Sequence, residues 1–224
     1  MNFQPFDKIP RLSRDMIITE KIDGTNAQVA LFRTHKSYNG EFFPFILHQY
    51  EPDNEYGDRL VLMAGSRTRW ITPGKDKDNM GFAGWVLDHK DDLLKLGEGT
   101  HYGEWWGKGI QRSYDLKEKR FSLFNVSRWT SEFNNFNING GDVKDGELST
   151  VCIEVPVCHV APLIFIRQFD SEFINEAIEY LKYKGSLAAP GFMKPEGIVI
   201  YHVAGDHLFK KTIENDDKPK STGE

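Results

Sequence analysis

The chain has 224 residues, a mass of 25.8 kDa and a net charge of −5, with 39% hydrophobic and 27% charged residues. These values exclude a largely disordered, collagen-like or coiled-coil chain and predict one large compact domain. The acidic balance, 28 Lys and Arg against 33 Asp and Glu, also excludes a protein that coats nucleic acid by overall charge, so such a partner must be held by local patches.

The N-terminal segment MNFQPFDKIPRLSRD lacks the apolar run that a signal peptide needs, so a cytoplasmic, reducing setting is expected. The strongest apolar stretch, Val160 to Ile166, is interrupted by Pro162 and is too short to cross a bilayer. β-rich runs predict strands at Met16 to Thr19, Ala27 to Phe32, Phe45 to Gln49 and Leu60 to Ala64. A helix is predicted over Asn79 to Leu96, where Phe82, Trp85, Val86, His89, Leu93 and Leu96 recur at helical spacing and Gly97 supplies a stop. Strands follow at Phe121 to Val126 and Val151 to Val160, on either side of an Asn-, Gly- and Asp-rich loop from Ser131 to Gly146. Cys152 and Cys158 share one face of the latter strand and are read as core, because two cysteines with His159 cannot complete a four-ligand zinc site. A second helix is capped by Asp170 or Ser171, carries Phe173, Ala177 and Leu181 on one face, and stops at Gly185. Strands at Gly197 to His202 and Leu208 to Ile213 complete the pattern, which has no regular alternation of strand and helix and no internal repeat. The fold class expected is therefore α+β, antiparallel sheets with packed helices, as one domain over residues 1–213 and a flexible tail over 214–224.

Chemistry concentrates in five segments. In Glu20-Lys21-Ile22-Asp23-Gly24-Thr25-Asn26 a lysine leaves a strand and enters a glycine-containing turn with an acid two residues on. It is followed by Tyr102-Gly103-Glu104-Trp105-Trp106-Gly107, Phe121-Ser122-Leu123-Phe124-Asn125-Val126, Pro195-Glu196-Gly197-Ile198-Val199-Ile200-Tyr201 and Phe209-Lys210-Lys211-Thr212. In this order the five resemble the signature set of the covalent nucleotidyltransferase superfamily of polynucleotide ligases and messenger-RNA capping enzymes. DNA ligases and capping enzymes typically carry an arginine five residues after the lysine. Asn26 stands there in this chain, a form similar to the RNA-ligase branch, as is the run Gly107-Lys108-Gly109-Ile110-Gln111.

The resemblance implies a nucleotidyltransferase (ATP-grasp-like) domain acting as an ATP-dependent RNA ligase, and since only twelve residues follow Thr212, no OB-fold domain is expected. Lys21 would be the nucleophile that takes AMP from ATP. The catalytic set implied is Lys21, Asp23, Glu196 and Lys210; Asp23, Glu104 and Glu196 are placed around Mg²⁺ or Mn²⁺ and its waters. Nucleotide binding is assigned to Glu20, Lys21, Ile22, Asn26, Arg67, Glu104, Phe124 and Lys210, with Glu20 and Ile22 offering backbone groups to the base and Phe124 stacking on it. The chemistry agrees: transfer to an amine needs a neutral lysine, cations at the α-phosphate and a fixed leaving pyrophosphate, and hard oxygen ligands suit the metal.

The last segment departs from the family's Lys-x-Lys. Only one of Lys210 and Lys211 can point to a given face of a strand, and Lys210 is assigned inward with Thr212 beside it. The partner expected is RNA with 5′-phosphate and 3′-hydroxyl ends, in a role such as RNA repair. Its phosphates would meet Arg59 to Lys77 and Trp105 to Arg120, the two basic stretches. A minimal DNA ligase accepting DNA or hybrid nicks, and an end-binding module without sealing activity, remain the alternatives.

Overall fold

A computed structural model of the chain describes residues 3–35, 37–51, 56–129 and 154–216. Among these, the residues up to Lys21 and those from Leu163 onward form one compact unit, and those from Ile22 to Pro162 form another.

The first unit is a four-stranded antiparallel sheet under a helix. Its strands are β1 (Asp15–Lys21), β9 (Leu163–Gln168), β10 (Gly197–His202) and β11 (His207–Thr212), in the order β11-β10-β1-β9. Alternation divides β1 cleanly. Met16 and Ile18 turn down with Ile164, Ile198 and Ile200 onto Ala177, Ile178 and Leu181 of helix α4 (Ser171–Lys184), making the core of this unit. The opposite face carries Thr19 and Lys21, and the register places Val199 and Lys210 beside Thr19, and Gly197 and Thr212 beside Lys21. Helix α4 starts and stops as its sequence predicts: the Asp170 carboxylate accepts the Glu172 N–H at 2.8 Å, and Gly185 ends it at φ 81°.

The second unit is built on a larger sheet whose main path is β3 (Ile46–Gln49), β4 (Asp58–Ser66), β2 (Thr25–His35), β6 (Gly99–Gly107), β7 (Lys119–Leu123) and β8 (His159–Val160), with β5 (Trp70–Ile71) on β4. Every pairing is antiparallel except β7 with β8. One face of this sheet carries Ala27, Val29, Leu31, Leu62, Ala64, Trp105 and Phe121, in the register of β4, β2, β6 and β7. Phe82 and Trp85 of helix α1 (Phe82–Asp88) meet Trp105 and Phe121 there, with ring centroids 5.0–5.8 Å apart. The other face carries Asn26, Gln28, Tyr102, Glu104 and Ser122.

Four details differ from the sequence reading. The predicted helix 79–96 is broken at His89 (φ −110°, ψ 21°) into α1 and α2 (Lys90–Leu93), followed by a 3₁₀ turn to Leu96; Phe82, Val86, Leu93 and Leu96 are nevertheless buried. The strand from Phe121 stops at Leu123, and Val126 begins the short helix α3 (Val126–Trp129). Of the strand expected over Val151 to Val160, the described part begins at residue 154 and within it only His159–Val160 pairs, since the Cys158 N–H turns back to the Val155 carbonyl and Pro156 has no N–H to give. Gly99–Gly107 and Leu163–Gln168 are strands that the pattern missed, the first hidden by its glycines and polar residues and the second by Pro162 just ahead of it. Cys158 is buried, whereas Cys152, the loop Ser131 to Gly146 and the tail beyond Asp216 lie outside the described residues.

Candidate active site

In the first unit, β1 ends on Lys21, whose Nζ donates to Oε2 of Glu196 at 2.7 Å. The lysine side chain is 20% exposed and the carboxylate 3%, so the acid is enclosed while the amine reaches a surface. Glu196 directly precedes β10, and the glycine after it serves packing. A Cβ on Gly197 would lie 2.2 Å from the Lys211 carbonyl oxygen and 2.7 Å from Thr212 Cα, so only glycine lets β11 close on β10 here. That closure sets the register which puts Lys210 and Thr212 on the face of Lys21. Lys211 points the other way, its Nζ donating to Asn175 of α4 at 3.0 Å. The Thr212 hydroxyl donates to the Glu214 carbonyl at 2.9 Å and so turns toward the chain that follows it.

Glu20 faces away from Lys21. Its buried carboxylate accepts from the Ser186 hydroxyl at 2.6 Å and from the N–H groups of Leu187 and Ala188 at 2.8 and 2.9 Å. Burial pushes this acid up to about 7, and the three hydrogen bonds oppose the shift only in part. Its backbone is paired with Ile198 in the β1–β10 ladder. Sequence reasoning missed Ser186, since a serine in an Ala- and Gly-rich loop carries no signal by itself.

In the second unit, Ile22 is buried and Asp23 is 8% exposed. Asp23 Oδ2 accepts from Arg112 Nε at 3.0 Å, and the Asp23 N–H donates to the Tyr114 hydroxyl at 2.8 Å. Gly24 is pressed against β6, where a Cβ would sit 2.4 Å from the Trp105 carbonyl oxygen. Glu104 accepts the Gly24 N–H at 3.1 Å on one oxygen and the Asn26 amide at 3.0 Å on the other. Asn79, also missed in the sequence, donates to the Asn26 carbonyl at 3.1 Å and accepts from Thr25 at 3.2 Å.

A pocket of about 160 Å³ opens in this unit, lined by Asn26, Gln28, Ser66, Arg67, Tyr102 and Phe124 among others. Phe124 is 45% exposed beside Tyr102 at 59%, whereas Phe121, three residues earlier, is fully buried. An exposed ring at a pocket mouth presents a stacking face; a buried one does not.

Both of the basic stretches fall in the second unit. Arg67, Arg69, Lys75 and Lys77 are exposed. In the other stretch, Arg112 is committed to Asp23, Lys119 donates to the Met80 carbonyl, and Arg120 pairs with Glu118. Lys108 and Lys117 remain exposed there. With Arg112 and Arg120 paired to carboxylates, the stretch is a weaker cationic surface than its composition suggests.

Among the described residues no group of three or more His, Cys, Asp or Glu side chains is disposed to hold a metal ion. Asp23, Glu104 and Glu196 each accept hydrogen bonds from protein donors. A carboxylate engaged in this way can meet a divalent ion through the ion's own waters. Also among the described residues, no helix is long and apolar enough to cross a membrane.

Residues 14–212 match the family model described as RNA ligase. With most of the chain covered, this protein belongs to the RNA ligase family, and its α+β fold of antiparallel sheets with few helices is the fold seen in that family. A mutant Naegleria gruberi RNA ligase in the apo state superposes with a TM-score of 0.51 and 16% identity, over 89% of this chain and 50% of that one. A mutant of the Naegleria gruberi ligase with ATP and Mn gives 0.52 and 16%, over 91% and 51%. Another with AMP and Mn gives 0.51 and 15%, over 90% and 50%. The chain thus spans about half the length of these solved proteins. No curated protein matches it.

Proposed function

We propose that the chain is the nucleotidyl-transfer part of an ATP-dependent RNA ligase, working through AMP carried on Lys21. The observation that supports this most is the end of β1. A solvent-reaching amine is held 2.7 Å from a buried carboxylate, on the sheet face that also carries Lys210.

To attack, Lys21 must part from Glu196 and present a neutral amine; its nitrogen then bonds to the α-phosphorus of ATP, the bond to pyrophosphate breaks, and a proton leaves the nitrogen as the phosphoramidate forms. Lys21, Glu196 and Lys210 lie together in the first unit. The family resemblance implies the remaining roles: Asn26 and Arg67 for phosphates, Glu104 for the ribose and Phe124 as a stacking face for adenine. A divalent ion such as Mg²⁺ or Mn²⁺, carried with the nucleotide, would offset charge on the α-phosphate and pyrophosphate. AMP then passes to an RNA 5′-phosphate, and attack by a 3′-hydroxyl releases AMP and closes the strand.

The test is incubation with each α-labelled nucleoside triphosphate and Mg²⁺ or Mn²⁺, followed by denaturing electrophoresis. Label is expected on the polypeptide from ATP, and it should vanish in Lys21→Ala and Lys21→Arg. Label on a folded Lys21→Ala chain overturns the assignment; label from GTP alone would make the protein a capping-type guanylyltransferase.

A further inference from the structure

β6 and β7 are joined by residues 108–118, and the backbone of this connection is unusual. Gln111, Ser113, Tyr114 and Asp115 all have φ between 45° and 58°, a left-handed conformation that side chains rarely adopt in succession. The packing that enforces it is visible: Ile110 and Tyr114 are fully enclosed, and the Tyr114 ring meets Trp106 edge-on at 4.9 Å. Two side chains projected by this loop converge on one residue far away in sequence. Arg112 reaches the Asp23 carboxylate, and the Tyr114 hydroxyl takes the Asp23 N–H. On the other side of the same turn Gly24 is pinned by Glu104 and by its contact with the Trp105 backbone.

We propose that the loop 108–118 is a clasp on the turn that follows Lys21, with Arg112 and Tyr114 as positioning residues that act through Asp23. The inference rests on the reading of Lys21 as nucleophile. Asp23 lies two residues from Lys21, so fixing its side chain and its amide together limits how the chain can turn after the lysine. Transfer to phosphorus is steep in geometry, and misplacement of a nucleophile by about an ångström costs on the order of a hundredfold in rate. The Arg112–Asp23 pair is suited to this work because it is shielded, with side chains 29% and 11% exposed, and loss of the guanidinium would leave an enclosed carboxylate without its ion partner. Persistent backbone strain in a loop that ends on such contacts is the pattern expected of a segment whose shape is imposed for function.

The experiment uses Arg112→Gln, Arg112→Lys and Tyr114→Phe in the full chain, with two measurements on each. Amide hydrogen exchange over residues 22–25 should speed up about tenfold in Arg112→Gln and Tyr114→Phe, and much less in Arg112→Lys. Single-turnover labelling with ATP should slow about ten- to a hundredfold in the same two variants, with half-saturation by ATP changed less than about threefold and Arg112→Lys restoring most of the rate. Unchanged exchange in both Arg112→Gln and Tyr114→Phe overturns the clasp, whatever the labelling does. Faster exchange with an unaltered labelling rate, or with a loss confined to ATP half-saturation, overturns the positioning role. A wild-type chain that takes no label while exchange responds as expected overturns the nucleophile reading and leaves the clasp standing.

Discussion

Glu20 and Lys21 are neighbours on one strand with opposite surroundings. Glu20 is enclosed, and its acid is raised to about 7 from an ordinary 4.5. Because the folded-state value lies above the unfolded one, folding favours the protonated form. Its contribution to stability is complete below about pH 4.5 and is lost as pH rises through 7, at up to about 1.4 kcal/mol per pH unit. Chemical denaturation at several pH values should therefore show Glu20→Gln with a flatter stability curve than the wild type between pH 5 and 7; parallel curves would place the slope elsewhere. On the other face, Glu196→Gln keeps a hydrogen-bonding side chain for Lys21 but removes the charge. Adenylylation is expected to fall about a hundredfold, the scale of losing one electrostatic stabiliser, with the melting temperature nearly unchanged. Retained activity with a lowered melting temperature would make Glu196 a structural ion-pair member.

Elements form where local signals and tertiary partners agree. Helix α4 has both, a capping carboxylate and an apolar face of Ala177, Ile178 and Leu181 over the first sheet. Asp170→Ala should cost about 1 kcal/mol in equilibrium unfolding and leave labelling intact. The hairpin of β10 and β11 depends instead on close approach. Gly197→Ala would drive a Cβ into the Lys211 carbonyl, and it is expected to destabilise the chain by roughly 2–3 kcal/mol and to lower adenylylation, because the strand that moves carries Lys210. A Gly197→Ala chain with wild-type melting temperature and labelling would refute that account. The predicted helix over 79–96 went wrong for an element-scale reason. Four of its periodic positions, Phe82, Val86, Leu93 and Leu96, are buried, yet periodicity does not register the break at His89, where the backbone leaves helical geometry between α1 and α2.

For the molecule as a whole, a net charge of −5 means that the RNA strand proposed as partner would have to be held by local cations. Arg67, Arg69, Lys75 and Lys77 are exposed along one segment. If these four each meet a phosphate, a fourfold rise in salt should weaken RNA binding by about fiftyfold, and Arg67→Glu should reduce both affinity and salt slope. Lys108→Glu should have the smaller effect of the two reversals, since Arg112, Lys119 and Arg120 nearby are already engaged within the protein. Sugar preference is a separate question, answered by a matched set of nicked duplexes at one salt concentration. RNA on the 3′-hydroxyl side is expected to be sealed far better than all-DNA, because RNA imposes A-form geometry and offers its 2′-hydroxyl; equal sealing of the all-DNA nick would favour a DNA ligase.

Asp23, Glu104, Phe124, Glu196 and Lys210 could be singled out from sequence because each stands next to a glycine, an asparagine or a second lysine, and Lys21 because it stands two residues before Asp23-Gly24, in short segments whose order along the chain is itself informative. The two-residue period of a strand required Lys210 and Lys211 to face opposite ways, and the register with β10 and β1 is what puts Lys210 on the face of Lys21. The partners of these groups were beyond reach. Lys21 meets Glu196 across 175 positions and Asp23 meets Arg112 across 89. Such pairs exist only once the sheet registers are set, and those registers depend on backbone approach at Gly24 and Gly197 and on which residues each core encloses. Composition counted Arg112, Lys119 and Arg120 as free positive charge, and folding gave each of them a partner. Sequence nominated the side chains proposed to carry the chemistry; tertiary structure decided what each one holds, because hydrogen bonds and ion pairs act over about 3 Å in space whatever their separation along the chain.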